Sequence, residues 1–317
     1  MNILITSVGR QVYLLKAFKK AINGNGKVFA SDIDPKALAL SEADQSFISP
    51  KFTNSQYIPW IKELCQKLEI DVLISLNVDD IIILSEFAKK FSEMKCQLIA
   101  GDPEIIRKTN DKYALQNISK ELGLPILETS ILKKNSPIEK ELPVVAKPRY
   151  GKGARGNVVL NTLDEFLKFQ RSLVDFEEEY VIQEFLEGVE YGFDIINDFE
   201  GNYLSLLGRK KITQRNGESF QAIIINPAFW EKEARRLSEY IRHKGTVNFD
   251  VIFSKDRGYL IDVNYRFSGD YVFSHSAGAN TPQIYVDCFL GNAINKDSYL
   301  PEYNVISERI ENGAKRI

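Results

Sequence analysis

The sequence predicts an α/β chain in two parts, an open parallel α/β domain over residues 1–101 and an α+β region over residues 102–317. Three observations predict it. Over the first hundred or so residues, apolar strand-like runs alternate with segments whose apolar residues recur at helical spacing, the mark of a parallel sheet with right-handed crossovers. From Asp102 onward the pattern changes to short strands separated by turn residues. A chain of 317 residues is also long enough for about two domains.

The elements follow in order. "NILITSV" reads as a buried strand and "RQVYLLKAFKKAI" as a helix with one apolar face. "GNGKVFASDID" is a turn and a second strand, "YIPWIKELCQKLE" a helix, "IDVLISL" a strand, "IIILSEFAKKFSEM" a helix and "CQLIAG" a further strand. Asp102 is a helix N-cap with Pro103 in the first helical position. "NDKYALQNISKELGLP" is a helix closed by Gly123. Short strands follow in "ILETSIL", "PVVAKPRY" and "GNVVL", then a helix whose capping box runs from Thr162 to Glu165. "EYVIQEFL", "EYGFDIIND" and "NYLSLLGRKKI" are strands, the last two joined at "FEGN". "FWEKEARRLSEYIRHKG" is a helix, and "TVNFDVIFSKDRGYLIDVNYRF" two strands around a charged turn.

Bulk properties exclude several classes. Hydrophobic content of 44% and charged content of 26% are ordinary for a globular chain. The net charge of −2 provides no field favouring nucleic acid or an anionic membrane. No stretch approaches the ~18 consecutive apolar residues of a membrane span, and "MNILITSVGR" has no basic secretory n-region. Cys65, Cys96 and Cys288 are scattered, as expected of reduced thiols in a cytoplasmic protein. With only His243 and His275 available, a metal would have oxygen ligands, which points to magnesium or manganese.

"KPRYGKGARG" spells G-x-G-x-x-G with Gly151, Gly153 and Gly156. A dinucleotide fingerprint must open a helix, yet a β-branched run follows here; a phosphate-binding P-loop would need Lys then Ser or Thr where Asn157 and Val158 stand. What remains is a glycine-rich hairpin whose amides, with Lys147, Lys152 and Arg155, can fold over a polyphosphate, or else a plain flexible hairpin. The first strand-to-helix turn, "TSVGRQ", has the single glycine Gly9, which speaks against a dinucleotide there, and Asp32 and Asp34 read either as ribose-binding acids or as a turn with Pro35.

The discriminating stretch is "NFDVIFSKDRGYLIDVNYR". Side chains alternate along a strand, so Asn248 and Asp250 share one face, and Asp262, Asn264 and Arg266 share another. Polar groups on strands this apolar are costly to bury without partners. Either they form an oxygen cage for Mg²⁺ with Arg266 beside it, or they face solvent.

These motifs, in this order, resemble the ATP-grasp superfamily, in the style of the carbamoyl phosphate synthetase large subunit and small carboxylate–amine ligases, over nearly the whole chain. The resemblance implies that residues 1–101 form the domain preceding an ATP-grasp fold, and that 102–317 form a two-subdomain α+β ATP-grasp fold with a lid over about 113–185. It implies ATP and Mg²⁺ (or Mn²⁺) as cofactors. Lys112 and Lys147 correspond to the two nucleotide-binding lysines, and Gly151, Gly153 and Gly156 to the lid loop. In the hinge, Glu184 and the backbone of Phe185 and Leu186 would face adenine, and Glu190 would hold the ribose. Asp262 and Asn264 correspond to the metal pair and Arg266 to the arginine after it; the additional ligand is Asn248 or Asp250. Asp stands at 262 where the superfamily more often has Glu, and Tyr265 where many members have Pro; Tyr265 points to the opposite face, as packing.

The implied activity is an ATP-dependent ligase joining a carboxylate to an amine or a thiol through an acyl phosphate, releasing ADP and phosphate. Alternatives are a non-catalytic ATP-binding regulator on the same fold and an NAD(P)-dependent oxidoreductase. Candidate substrate contacts are Arg10, Arg209, Lys211, Ser268, Asp270, Ser274 and His275, the last as a base for the incoming amine. Small-molecule carboxylate and amine substrates, a homodimer, and no nucleic-acid or membrane partner complete the expectation.

Overall fold

The computed structural model describes residues 1–133, 136–150, 156–173, 180–215 and 218–317. Its first part contains β1 (Asn2–Thr6), α1 (Val12–Ile22), β2 (Lys27–Asp32), β3 (Gln45–Ile48), α2 (Tyr57–Lys67), β4 (Val72–Ser75), α3 (Val78–Ser85), α4 (Ala88–Glu93) and β5 (Gln97–Leu98). The five strands are parallel, in the order β3-β2-β1-β4-β5. Chain direction across the sheet reverses between β1 and β4, so the loops after these two strands flank a crevice, the usual ligand position in an open α/β sheet. Asp32 is committed to that crevice's frame. Its carboxylate accepts from Gly9 N (2.8 Å) and Asp34 N (2.9 Å), and Asp34 in turn accepts from Lys36 N, which is the turn reading of the two acids.

Two helices follow, α5 (Pro103–Asn110), capped by Asp102, and α6 (Lys112–Glu121), capped by Asp111. A small antiparallel sheet, β6-β9-β7-β8, is built from β6 (Thr129–Ile131), β7 (Val144–Pro148), β8 (Val158–Leu160) and β9 (Tyr180–Glu184), with α7 (Leu163–Ser172) beside it. Thr162 caps α7 through Glu165 N, but the Glu165 carboxylate reaches back to Asn161 N, one residue earlier than a regular capping box.

The large sheet is antiparallel, ordered β14-β13-β10-β11-β12-β15-β16. Its strands are β10 (Val189–Asn197), β11 (Tyr203–Arg215), β12 (Glu218–Ile225), β13 (Thr246–Ser254), β14 (Arg257–Asn264), β15 (Ile306–Ile310) and β16 (Gly313–Arg316). Helices α8 (Glu231–Ile241), α9 (Tyr271–Ser276) and α10 (Thr281–Leu290) complete the body. The β10–β11 turn is held by Asp198 Oδ1, which accepts from Glu200 N and Asn202 N.

Several elements differ from expectation. The helix expected over "IIILSEFAKKFSEM" is two helices, with Ser85 Oγ bonding back to the Ile82 carbonyl where the first ends. β3, β12, β15 and β16 had no sequence reading, because they are short or lack a clean alternation. The division at residue 101 is not a division of the core. Ile3, Ile5 and Phe18 pack in one cluster with Phe267, Tyr271 and Tyr285, and Leu4, Ile61 and Leu73 in another with Trp230 and Phe249. Among the described residues, the small sheet has a separate core of Leu132, Val144, Ala146, Leu160, Phe166 and Ile182.

Candidate active site

A two-residue turn and a bulge together set the register of the β13–β14 hairpin: the turn pairs Val251 with Leu260, and the bulge shifts the next pair by one residue. Lys255 and Asp256 have φ of +47° and +65°, the left-handed pair that joins twisted strands tightly. The register places Asn248 opposite Asn264 and Asp250 opposite Asp262. Alternate residues Phe249, Val263 and Tyr265 enter the core, and Tyr265 Oη bonds Thr109 Oγ1 on α5. The polar face lines a cavity of about 1370 Å³ lying between the three sheets. That exceeds the roughly 300–1,000 Å³ of a single-ligand pocket, leaving room for a nucleotide and a second molecule.

On this face Asp262 Oδ1 accepts from Val263 N (3.0 Å), and Asn264 Nδ2 donates to Asp262 Oδ2 (3.4 Å). Asn264 Oδ1 is buried without a hydrogen-bond partner among the described residues. Asn248 Nδ2 donates to the Phe193 carbonyl (3.0 Å) and Asp194 Oδ1 (3.3 Å). Both partners are pure acceptors, so the amide orientation is settled and Asn248 Oδ1 is its remaining group. Asp250 is differently placed: Lys211 Nζ lies 3.1 Å from Asp250 Oδ1 and 3.1 Å from Glu190 Oε2. Burial works against the Lys211 charge, yet these carboxylates hold its pKa above the ordinary lysine range. Arg266 lines the same face, with Nη1 donating to the Phe267 carbonyl at 2.8 Å.

The opposite wall carries the lysines. Asp111 caps α6 by accepting from Tyr113 N and Ala114 N and is gripped by Arg149 at 2.9 and 2.7 Å. Lys112 N donates to the Arg149 carbonyl, so the first residue of α6 is tied to the end of β7. Lys147 on β7 and Lys112 both line the cavity. Burial, the neighbouring Lys112 charge and incomplete compensation by Asp262 and Glu190 push the Lys147 pKa down to about 8; burial also lowers that of Lys112. Two crowded ammonium groups with depressed pKa values are a site that gains from a polyanion.

Glu184, Phe185, Leu186 and Glu190 line one end, beside Leu127, Val145 and Ile252. Phe185 N donates to the Pro143 carbonyl (3.1 Å), so that amide is not available to an adenine ring. Glu190 Oε2 also accepts from Gln214 Nε2. Gly151 and Gly153, with Lys152 and Arg155, lie outside the described residues. Gly156 has φ +78°, and a Cβ there would stand 2.8 Å from Pro148 Cγ.

At the other end, Arg10 lines the cavity and pairs with Glu218 across the crevice mouth at 2.8 Å. Ser268 and Asp270 also line it, with Asp270 held by Arg309 (2.7 Å) and Ser219 (2.5 Å). Three expected substrate contacts do not reach it. Arg209 is fully buried against Asp194 (2.5 Å), because the body of the sheet covers it. Ser274 is fully buried on the core side of α9. His275 packs on Tyr13 and Tyr271 with Nδ1 3.0 Å from the Ala279 carbonyl, a packing role rather than a base at the reaction. Sequence reading missed Asp194, Glu218 and Arg309. Only Asp194 left a signal, as a lone carboxylate within the apolar run "GFDII".

The donor set can be tested against a divalent ion. One carboxylate and two amide oxygens converge from adjacent strands, one of them a buried oxygen without a partner, which suits a hard cation such as Mg²⁺ or Mn²⁺. No group of three or more His, Cys, Asp and Glu able to hold a metal occurs among the described residues. No helix is long and apolar enough to cross a membrane among the described residues.

Comparison with known proteins bears on the fold. Residues 3–99 match the family model of the PylC-like N-terminal domain, and residues 176–310 match that of an ATP-grasp in the biosynthetic pathway with Ter operon. The chain is 26% identical over 284 residues to a carbamoyl-phosphate synthase of Methanobrevibacter smithii, covering 82% of this chain and 74% of that protein. It is 26% identical over 247 residues to the arginine-specific carbamoyl phosphate synthase large chain of Eremothecium gossypii, covering 70% of this chain but only 22% of that larger protein. The biotin carboxylase domain of Hydrogenobacter thermophilus 2-oxoglutarate carboxylase, solved with MgADP, ADP and bicarbonate, superposes with a TM-score of 0.75 at 15% identity, covering 97% of this chain and 74% of that one. A parallel α/β sheet leading into an antiparallel sheet that bears the Asp262–Asn264–Arg266 face, with a small sheet opposite, gives the chain the fold of that biotin carboxylase domain, and its residues 176–310 are similar to an ATP-grasp family.

Proposed function

We propose that this protein is an ATP-dependent ligase that activates a small-molecule carboxylate and joins it to an amine, or to a thiol, releasing ADP and phosphate. The observation that carries it is the convergence in one cavity of Asp262, Asn264 and Arg266 on one wall with Lys112 and Lys147 on the other. A carboxylate oxygen attacks the γ-phosphorus of ATP, the bond to the β–γ bridging oxygen breaks, and ADP leaves. The nucleophile then attacks the acyl carbon, and phosphate departs with the bonding electrons.

Each step moves charge between anions, so the site must neutralise it. Lys147 and Lys112 hold the polyphosphate, and the Glu184–Leu186 hinge receives the base through Leu186 and the Phe185 carbonyl. Glu190 faces the ribose, steadied by Lys211 and Gln214. Asp262, Asn264 and Asn248 would hold Mg²⁺, which supplies Lewis-acid neutralisation of the phosphate oxygens when bound. Asn248 serves better than Asp250, whose Oδ1 already lies 3.1 Å from the Lys211 ammonium. Arg266 steadies the transferring phosphoryl group with a planar fork. Ser268, Asp270 and Arg10 face the second substrate at the crevice end. A regulator that only senses ATP has no need of an arginine beside the metal face, which favours an enzyme. We place it in the cytoplasm.

ADP release across a panel of carboxylates paired with amines, including amino acids and sugar-linked acids, tests this reading. Stimulation that requires both partners and Mg²⁺ is expected. ATP binding with no stimulation by any pair, and phosphate never appearing, would instead favour the regulator.

A further inference from the structure

The least expected feature of the large sheet is an ion pair sealed inside it. Asp194 on β10 and Arg209 on β11 are fully buried, 2.5 Å apart, beside the buried apolar residues Phe193, Ile195, Leu206 and Leu207 of the same strands. The fold makes room for it: Gly192 lies opposite Arg209 in the register, and a Cβ there would stand 3.0 Å from Arg209 Nε. Burying two charges costs several kcal/mol each, and such a pair is often replaceable by apolar side chains without loss of stability. Stability is therefore a poor reason for keeping it. Its contacts offer a better one. Asp194 Oδ1 accepts from Asn248 Nδ2 at 3.3 Å, and Arg209 Nη2 donates to Ser268 Oγ at 2.7 Å. Ser268 Oγ also accepts from Asp270 N at 2.8 Å, and Asp270 is clamped by Arg309.

We propose that Asp194 and Arg209 are positioning residues that lock two ends of the cavity to one another. Asp194 turns the Asn248 amide so that its oxygen faces the Asp262–Asn264 side. Arg209 pins the Ser268 turn that presents Asp270 to the second substrate. The planar fork reaches Asp194 through Nη1 and Nη2 and Ser268 through Nη2, a fixed geometry that the single Nζ of a lysine does not reproduce. This inference rests on the ATP-and-metal reading of the site.

The test is Mn²⁺ binding in the presence of ADP, read by electron paramagnetic resonance, together with thermal unfolding and amide exchange. The double variant Asp194→Leu with Arg209→Met replaces the pair by apolar groups of similar size. We expect it to keep its unfolding midpoint within a few degrees while Mn²⁺ affinity falls by about 10–100-fold, the usual effect of losing an outer support of a metal ligand. Undiminished Mn²⁺ affinity in the folded double variant overturns the inference. Should that variant not fold, Arg209→Lys decides: amide exchange at residues 268–270 at least about tenfold faster supports the role, and unchanged exchange overturns it. A wild type that binds ADP but no Mn²⁺ overturns the metal reading and this inference together, whereas a wild type that binds both, with an unaffected double variant, removes only the inference.

Discussion

The two antiparallel sheets facing each other across the cavity are built to different standards. The large sheet shares both of its cores with the N-terminal α/β domain, so Asp262, Asn264 and Arg266 stand on a framework continuous with β1 and α1. The small sheet, which carries Lys147, has a core of its own that holds six buried apolar side chains among the described residues. Charge-bearing metal and phosphoryl groups need sub-ångström placement, and a deep shared core supplies it. A unit with a small core of its own opens locally at lower cost than one that shares a deep core.

Truncating one large side chain in each core is the sharpest way to break that contrast. Phe249→Ala, in the shared core, should cost about 3–5 kcal/mol and lower the global unfolding midpoint. Phe166→Ala, in the small core, should raise amide exchange in β6–β9 and weaken ATP binding while the main transition stays in place. If both variants lower one common transition equally, the two sheets unfold as one unit and the contrast is wrong.

On the rigid side, Asp262→Asn keeps the shape but removes a charge from the metal face. Turnover should drop at least ~100-fold, roughly 3 kcal/mol of transition-state stabilisation. Steady-state ADP release at saturating Mg²⁺ measures it, and wild-type turnover would leave the metal face without a role. Arg266→Lys should slow turnover by about 30-fold, roughly 2 kcal/mol, with nucleotide Kd nearly unchanged. A change in Kd alone would make Arg266 a ground-state phosphate contact.

The small-sheet side has a pH signature. Lys147, with a pKa pushed down to about 8 in the nucleotide-free protein, is charged below that pH and neutral above it. Polyphosphate favours the ammonium form, so binding at higher pH must take up a proton. ATP Kd should therefore weaken about tenfold between pH 7 and 9. Lys147→Arg, always charged, should flatten the profile; an equal slope in the variant assigns the titration to another group.

Much of this was legible in the sequence because the signals were local. Alternation along "NFDVIF" and "YLIDVNYR" predicted the shared polar faces, and the register then set Asn248 against Asn264 and Asp250 against Asp262. Caps at Asp102 and Thr162 were equally plain. What stayed hidden depends on partners distant in sequence. Arg209 and Lys211 point to the same side of β11, yet one is sealed by Asp194 and the other emerges between Glu190 and Asp250. No periodicity distinguishes them, since the difference lies in what covers each. His275 read as a base for its residue type, whereas its ring, half-buried, packs on Tyr13 and Tyr271. Arg309 reaches Asp270 only because β15 joins the sheet beside β12, a pairing that short strands do not announce.

The most direct measurement is ATP affinity by calorimetric titration, with and without Mg²⁺, in the wild type and in Asp262→Asn. We expect Mg²⁺ to tighten ATP binding in the wild type and to give no such gain in the variant. A wild type indifferent to Mg²⁺, or a variant that keeps the full gain, would show that the metal–nucleotide site is not built on the β13–β14 face.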